Sequence, residues 1–211
     1  MKKTPAIPVD AWEWMWAPYD WPTYQLVLDQ IDAKDIVLEI GAGDLRLSRE
    51  IAKKAKWVYA IEQNRPLLRR SGRRLPANLE MIAGDARTIP FPEDITTAVL
   101  LMRHCTHFSL YFAKLRTTAC RRLITNARWG MDVETIILKA RRRTYQSLEI
   151  GWFACRCGNC GFTEGPPQAL TKAIADQVWE LDSCPLCTAS SSSYSPHFNI
   201  EAFTSIKGSP W

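Results

Sequence analysis

The sequence predicts an α/β fold: a doubly wound, mostly parallel sheet followed by a small cysteine-bound metal module. Three observations predict it. Between residues 19 and 128, short apolar runs alternate five times with amphipathic helical segments across short connections. The first of those runs ends in a tight glycine turn, GAGD, at residues 41–44. After Arg128 the rhythm changes, and past residue 150 two Cys-x-x-Cys pairs appear, Cys157 with Cys160 and Cys184 with Cys187.

Each element follows from its own pattern. TYQLVLDQI, 23–31, reads as a helix leading into DIVLEIG, 35–41, a short apolar run of the kind a buried parallel strand needs. In LRLSREIAKKA, 45–55, the residues Leu45, Leu47, Ile51 and Ala55 recur near helical spacing with charges between them. WVYAIE, 57–62, is a second strand. RPLLRRSGRRL, 65–75, is a basic helix with Pro66 in its first turn. LEMIAGDA (79–86), ITTAVLLM (95–102) and LITNAR (123–128) supply strands three, four and five, and FSLYFAKLRTTACRRL (108–123) the helix before the last. VETIILK and SLEIGWFA, joined by the basic turn ARRRTYQ, predict a hairpin. PPQALTKAIADQVWEL, 166–181, predicts a helix between the cysteine pairs. TASSSSYSP, 188–196, reads as a serine-rich linker and HFNIEAFTSI as a returning strand. The predicted organisation is an aromatic front and helix over 1–30, the main domain over 31–150, a metal knuckle over 151–190 and a tail over 191–211.

Composition limits the function classes. The chain has 211 residues, 46% hydrophobic and 23% charged, which suits a globular protein with a full core. No apolar run follows Lys2 and Lys3, and none approaches the roughly 18 residues of a bilayer span, so neither export nor membrane insertion is expected. Seven cysteines, five of them between 155 and 187, then point to metal before disulfides and to the cytoplasm. The net charge of +5 is uneven: residues 103–143 carry ten basic and two acidic groups, a candidate polyanion surface or simply solvated faces.

The strand ends carry the chemistry. Gly41 and Gly43 let the backbone bend and approach a ligand where a side chain would clash, with Ala42 between them. The second strand ends in Glu62, about 20 residues on, where an acid can accept both hydroxyls of a ribose, followed by Gln63. The third ends in GDA, where Asp85 can accept from an adenine amine and Ala86 offers a backbone donor. The full G-x-G-x-x-G of nicotinamide enzymes fails at Leu45 and Arg46.

These motifs resemble the class I S-adenosylmethionine-dependent methyltransferases. Glu39, Gly41 and Gly43 in EIGAGD match the first motif, Glu62 in YAIEQN the second, and Asp85 in GDA the third. The resemblance spans roughly residues 19–128. Within the family, VLEIGAGDLRLSREIAKKAKWVYAIEQN looks most like the ribosomal RNA adenine dimethylases. It implies a Rossmann-like domain, S-adenosylmethionine as cofactor, and an aromatic lid in which Tyr19, Trp21 and Tyr24 face cofactor and substrate.

The loop after the fourth strand, RHCTHF, departs from that pattern. Enzymes that methylate exocyclic base amines carry an Asn- or Asp-led proline-aromatic motif there, and this chain does not. It places two of its three histidines in the loop instead, and His104 is the candidate base or substrate anchor. Cys105 lacks the Pro-Cys context of a pyrimidine-methylating nucleophile.

Cys157, Cys160, Cys184 and Cys187, with Cys155 as a possible substitute, form the expected zinc ligand set. Four thiolates leave no open position, so such a site is structural. The function expected is methyl transfer to structured RNA. A small-molecule methyltransferase and a non-catalytic nucleotide- or RNA-binding module are the alternatives.

Overall fold

A computed structural model describes residues 19–70, 74–103, 105–129 and 132–187. Helix α1 (Trp21–Leu28) begins where Asp20 accepts the Thr23 backbone N–H at 3.0 Å, with Pro22 in the first turn where no donor is needed. It turns Val27 and Leu28 inward and delivers the chain to the sheet.

Six strands form that sheet: β1 (Ile36–Ile40), β2 (Trp57–Glu62), β3 (Leu79–Ala83), β4 (Thr97–Leu100), β5 (Arg122–Thr125) and β6 (Glu134–Ile137). Their spatial order is β3-β2-β1-β4-β5-β6, with the first five parallel and β6 antiparallel to β5. The order reverses between β1 and β4, which makes the crevice at their carboxyl ends the place for a ligand. Helices α2 (Arg46–Ala52), α3 (Arg65–Arg70) and α4 (Phe108–Arg116) join the strands. The expected doubly wound architecture is present.

The central strands β1, β4 and β5 are buried on both faces, as inner parallel strands must be, whereas the edge strand β3 is largely exposed. One face packs Val37, Val58, Val99 and Ile124 under Val27 of α1 and Leu47 and Ile51 of α2. The other packs Leu38, Ile40, Leu100 and Leu123 against Phe108, Phe112 and Leu115 of α4. At the amino edge of the sheet Arg122 donates to the Asp35 carboxylate at 2.6 Å, to the Gln30 carbonyl at 2.7 Å and to Thr97 Oγ1 at 3.0 Å.

A second sheet follows, with β7 (Arg143–Thr144), β8 (Gly151–Cys155), β9 (Cys160–Thr163) and β10 (Val178–Ser183) in the order β7-β10-β8-β9. Two expectations fail here. The predicted hairpin does not form: its first half becomes β6 and pairs with the free edge of β5, whereas its second half, β8, pairs with β9 and β10. The predicted helix over 166–181 shrinks to α5 (Lys172–Ala175), capped by Thr171, and its end is the strand β10. Trp179 and Leu181 both reach the small core with Phe153, Leu148 and Cys155, so period two overrides helical propensity. The two halves are tied by Arg128, whose guanidinium bridges Glu134 of β6 and Glu180 of β10 with its side chain 1% exposed. The predicted linker, returning strand and residues 1–18 of the aromatic front lie outside the described residues.

Candidate functional site

The loop after β1 is shaped for close approach. Gly41 and Gly43 take φ values of 78° and 58°, in the left-handed region that glycine enters without strain. A Cβ at Gly41 would stand 2.9 Å from Met102 Cε, the mobile end of a side chain that could shift, so the positive φ is what requires glycine there. Gly41 and Ala42 both donate their N–H to the Ile61 carbonyl, at 2.9 and 3.0 Å, which binds the loop to the end of β2. Leu45 is left-handed too, at φ 66°, and is wholly buried as the residue that opens α2.

The three predicted acids line the same edge. Glu62 accepts the Gly43 N–H at 2.9 Å and the Asn64 N–H at 2.7 Å, one on each oxygen, and is buried. Each oxygen keeps a second lone pair for an incoming donor. Glu39 is fully enclosed and accepts from the Ser48 hydroxyl; burial, with Asp44 and Glu62 nearby, raises its pKa to about 8. Asp85 is gripped by Arg87, whose Nε lies 2.9 Å from both carboxylate oxygens and whose N–H lies 2.9 Å from Oδ1. That guanidinium holds the Asp85 carboxyl below its usual range. Gln63 is exposed, Ala86 is buried, and the Ala86 carbonyl accepts Lys114 Nζ.

Two of the three described aromatics of the front, Tyr19 and Tyr24, reach this edge. The Tyr19 hydroxyl accepts the Arg103 backbone N–H at 3.2 Å, and the Arg103 guanidinium lies 4.9 Å from the Tyr19 ring centre. Tyr24 packs on the core cluster beneath α1; burial, with Glu39 and Asp44 beside it, pushes its phenol up to about 12. Trp21 is 56% exposed.

His104 lies outside the described residues. Its neighbours are placed: His107 Nε2 lies 3.4 Å from Arg87 Nη1, and burial raises the Cys105 thiol, which opposes a nucleophilic role at neutral pH. Three residues of this edge were missed by sequence reasoning. Ser48 and Arg87 hold the acids, and Arg87 was signalled only by its place two residues after Asp85. Asn126, at the end of β5, is 2% exposed with Oδ1 lacking a hydrogen-bond partner; nothing in the sequence marked it.

The cysteine group differs from expectation in one member. Cys155, Cys157, Cys184 and Cys187 bring their sulfurs within 4.8 Å of one another, and Cys160 stands outside the group. Strand alternation explains the exchange. Cys160 pairs with Ala154 across the β8–β9 ladder and shares its face, whereas Cys155 points to the opposite face with Phe153. Cys160 instead looks toward Arg128 and Glu134, and burial pushes its thiol up to about 12. Among the four, the sulfur separations of 3.5 Å (Cys155–Cys187), 3.7 Å (Cys157–Cys184) and 3.8 Å (Cys184–Cys187) match the edge of a tetrahedron. With zinc–sulfur bonds of about 2.3 Å that edge is about 3.8 Å.

The basic block also needs correction. Of its ten cations, Lys114, Arg122, Arg128 and Arg142 are engaged internally. Arg142 donates to the Leu138, Ala140 and Ile137 carbonyls at 3.1 Å and lies over Phe112, so it is no phosphate contact. Exposed Arg116, Arg121, Lys139 and Arg141 lie at the amino edge of the sheet, because α4 and the antiparallel β6 both run back to it. They lie away from the loop after β4. Arg143 is exposed and stacks on Trp179, 3.6 Å from the ring centre.

Residues 37–126 match the family described as "Methyltransferase domain". A probable ribosomal RNA small subunit methyltransferase A from Methanosarcina barkeri is 47% identical over 66 residues, which are 30% of this chain and 23% of that protein. Its counterpart from Methanosarcina mazei is 42% identical over 66 residues, 30% of this chain and 24% of that protein. The chain thus matches about a quarter of the length of these curated relatives. Among solved structures, a dimethyladenosine transferase from Plasmodium falciparum aligns at 25% identity and a TM-score of 0.41, covering 47% of this chain and 40% of that one. The resemblance to class I methyltransferases, and within them to ribosomal RNA adenine dimethylases, is borne out. No described helix is long and apolar enough to cross a membrane.

Proposed function

We propose that the chain is an S-adenosylmethionine-dependent methyltransferase acting on RNA in the cytoplasm. One observation carries the reading: a glycine loop, Glu62 and Asp85 stand on three successive strand ends, and the Gly43 N–H is bonded to the Glu62 carboxylate. When bound, S-adenosylmethionine supplies an electrophilic methyl group on a sulfonium. The protein's part is to hold and align. Glu62 accepts from the ribose hydroxyls through its remaining lone pairs, with Gln63 at the same rim. Gly41, Ala42 and Gly43 admit the ligand against bare backbone. Asp85 accepts from the adenine amine once Arg87 yields part of its grip, and Ala86 lies beneath. Glu39, beside Tyr24, offers a buried carboxylate to the ligand's ammonium end, and Tyr19 closes over the loop after β4. In that loop His104 remains the proposed acceptor of a substrate proton.

Cys155, Cys157, Cys184 and Cys187 are the proposed ligands of one zinc ion. The near-tetrahedral spacing of their sulfurs supports this, and a filled four-thiolate shell makes the ion structural. It holds together a module over 151–187 whose buried core is Phe153, Leu181, Cys155 and Cys184 with Leu148 just before it, two of the five being cysteines in the ligand set.

The RNA substrate rests on the likeness to ribosomal RNA methyltransferases. A small-molecule substrate is the second reading, favoured by the placement of Arg116, Arg121, Lys139 and Arg141 at the edge away from the glycine loop; Arg103 is the exposed cation of the block that stands by the site. Tritium transfer from labelled S-adenosylmethionine to small ribosomal subunits, across a salt series, tests the proposal. Labelling that weakens steeply with salt supports RNA. Absence of transfer to any RNA fraction, with cofactor still bound, would overturn it.

A further inference from the structure

The cysteine module does more than append itself to the domain. Its turn 155–158 lies directly on Phe108, the first residue of α4: a Cβ on Gly158 would stand 3.2 Å from Phe108 Cδ1 and 3.3 Å from its Cβ. Gly158, at φ +102°, is thus required both by the turn and by the contact. That turn is shaped by the cysteines themselves. Gly158 donates to the Cys155 carbonyl at 2.9 Å, Cys155 to the Asn159 carbonyl at 2.8 Å, and Asn159 Nδ2 to Cys157 Sγ at 3.1 Å.

Phe108 also lies near Arg128. The Arg128 guanidinium lies 5.9 Å from its ring centre and is fixed by Glu180 of β10, four residues before Cys184. The 155–158 turn and, through Arg128 and Glu180, strand β10 therefore meet at one aromatic ring, which is 2% exposed. That ring ends the loop after β4. Phe108 donates its N–H to the Cys105 carbonyl at 3.3 Å, and the Tyr111 N–H reaches the His107 carbonyl at 3.1 Å. His107 in turn touches Arg87, which grips Asp85.

We infer that the four-thiolate centre positions the substrate loop after β4 through Phe108, so that methyl transfer depends on a metal that never touches the reactants. The inference rests on the zinc reading above. Phe108 and Gly158 are its positioning residues: removing the ion frees the 155–158 turn, the turn leaves Phe108, and the loop's C-terminal anchor gives. The core packing of Phe108 on Phe112 remains, so the anchor is loosened rather than removed. The glycine loop and Glu62, held by β1 and β2, keep their geometry.

Hydrogen exchange on the whole chain, zinc-loaded, chelated and zinc-restored, tests this. Chelation should speed exchange at 153–160 and at 105–111 at least tenfold, reversibly. Exchange in β1 to β3 and S-adenosylmethionine affinity by calorimetry should stay within twofold. Phe108→Ala should retain one zinc per chain, show the same faster exchange at 105–107, and lower kcat with KM for the cofactor unchanged. Phe108→Leu, which restores bulk, should recover most of both. Chelation that opens 153–160 while 105–111 stays protected overturns the inference, as does Phe108→Ala with an unaltered loop. A protein that binds no zinc sinks the metal reading instead, and Phe108→Ala still reports whether the module holds the loop.

Discussion

The Gly43 backbone N–H donates to the Glu62 carboxylate at 2.9 Å, so the turn after β1 and the acid after β2 are one hydrogen-bonded unit. The acid therefore has two tasks, shaping the loop and meeting the ligand. Glu62→Ala should lower S-adenosylmethionine affinity at least tenfold, since hydrogen bonds to charged groups contribute about 1.5 to 3 kcal/mol. Calorimetry measures it. Affinity equal to wild type removes Glu62 from the cofactor site.

Glu39 makes stability depend on pH in a defined direction. Burial lifts its pKa from 4.5 to about 8, so between those values the folded state binds the proton that the unfolded state has lost. This stabilising effect is complete below pH 4.5 and is lost as pH rises to 8. Glu39→Gln, which keeps the shape and cannot ionise, should flatten that part of the profile. Thermal melts from pH 5 to 8.5 should show wild type losing several degrees relative to Glu39→Gln. Parallel profiles would mean that Glu39 is ionised throughout.

The exchange of Cys155 for Cys160 separates two ligand sets. Cys155→Ser should lose zinc, whereas Cys160→Ser should keep one ion per chain, because Cys160 lies on the opposite face of the β8–β9 ladder. Metal analysis of both variants decides. Zinc retained by Cys155→Ser and lost from Cys160→Ser would restore the set read from spacing alone.

The contrast shows what a sequence can carry here. Strands β1 to β5 were legible because buried parallel strands are continuous apolar runs, and the glycine loop because backbone approach needs glycine at fixed positions. The acids Glu39, Glu62 and Asp85 were legible as strand ends. Cys155 was not separable from Cys160, because spacing does not reveal which face of a strand a thiol takes. β6 was misassigned because its pattern fits either neighbour: it pairs back onto the free edge of β5, just before it in sequence, rather than forward onto 147–154. Arg122 and Arg142 counted as surface charge until their partners Asp35 and the 137–140 carbonyls were in place. Arg87 lies beside its acid, but only geometry shows that it occupies both carboxylate oxygens.

The substrate surface is where those buried arginines matter most. Reversing residues 141–143 together would confuse binding with folding, because Arg142 is buried against Phe112 and three carbonyls. Arg142→Ala should destabilise the protein by about 3 kcal/mol in urea unfolding, since charged hydrogen bonds are lost and buried carbonyls are left bare. The exposed set behaves differently. Arg121→Glu with Lys139→Glu and Arg141→Glu should leave the melting temperature nearly unchanged. If RNA rests on this edge, each lost phosphate contact lowers the slope of log K against log salt by about 0.7 to 0.9, so the triple variant should flatten it by about 2 to 3. Cofactor affinity should not change, because Gly43 and Glu62 lie at the opposite edge of the sheet. An unaltered salt slope in a folded triple variant would remove this edge from RNA binding. The small-molecule reading would then fit the placement of the charges better.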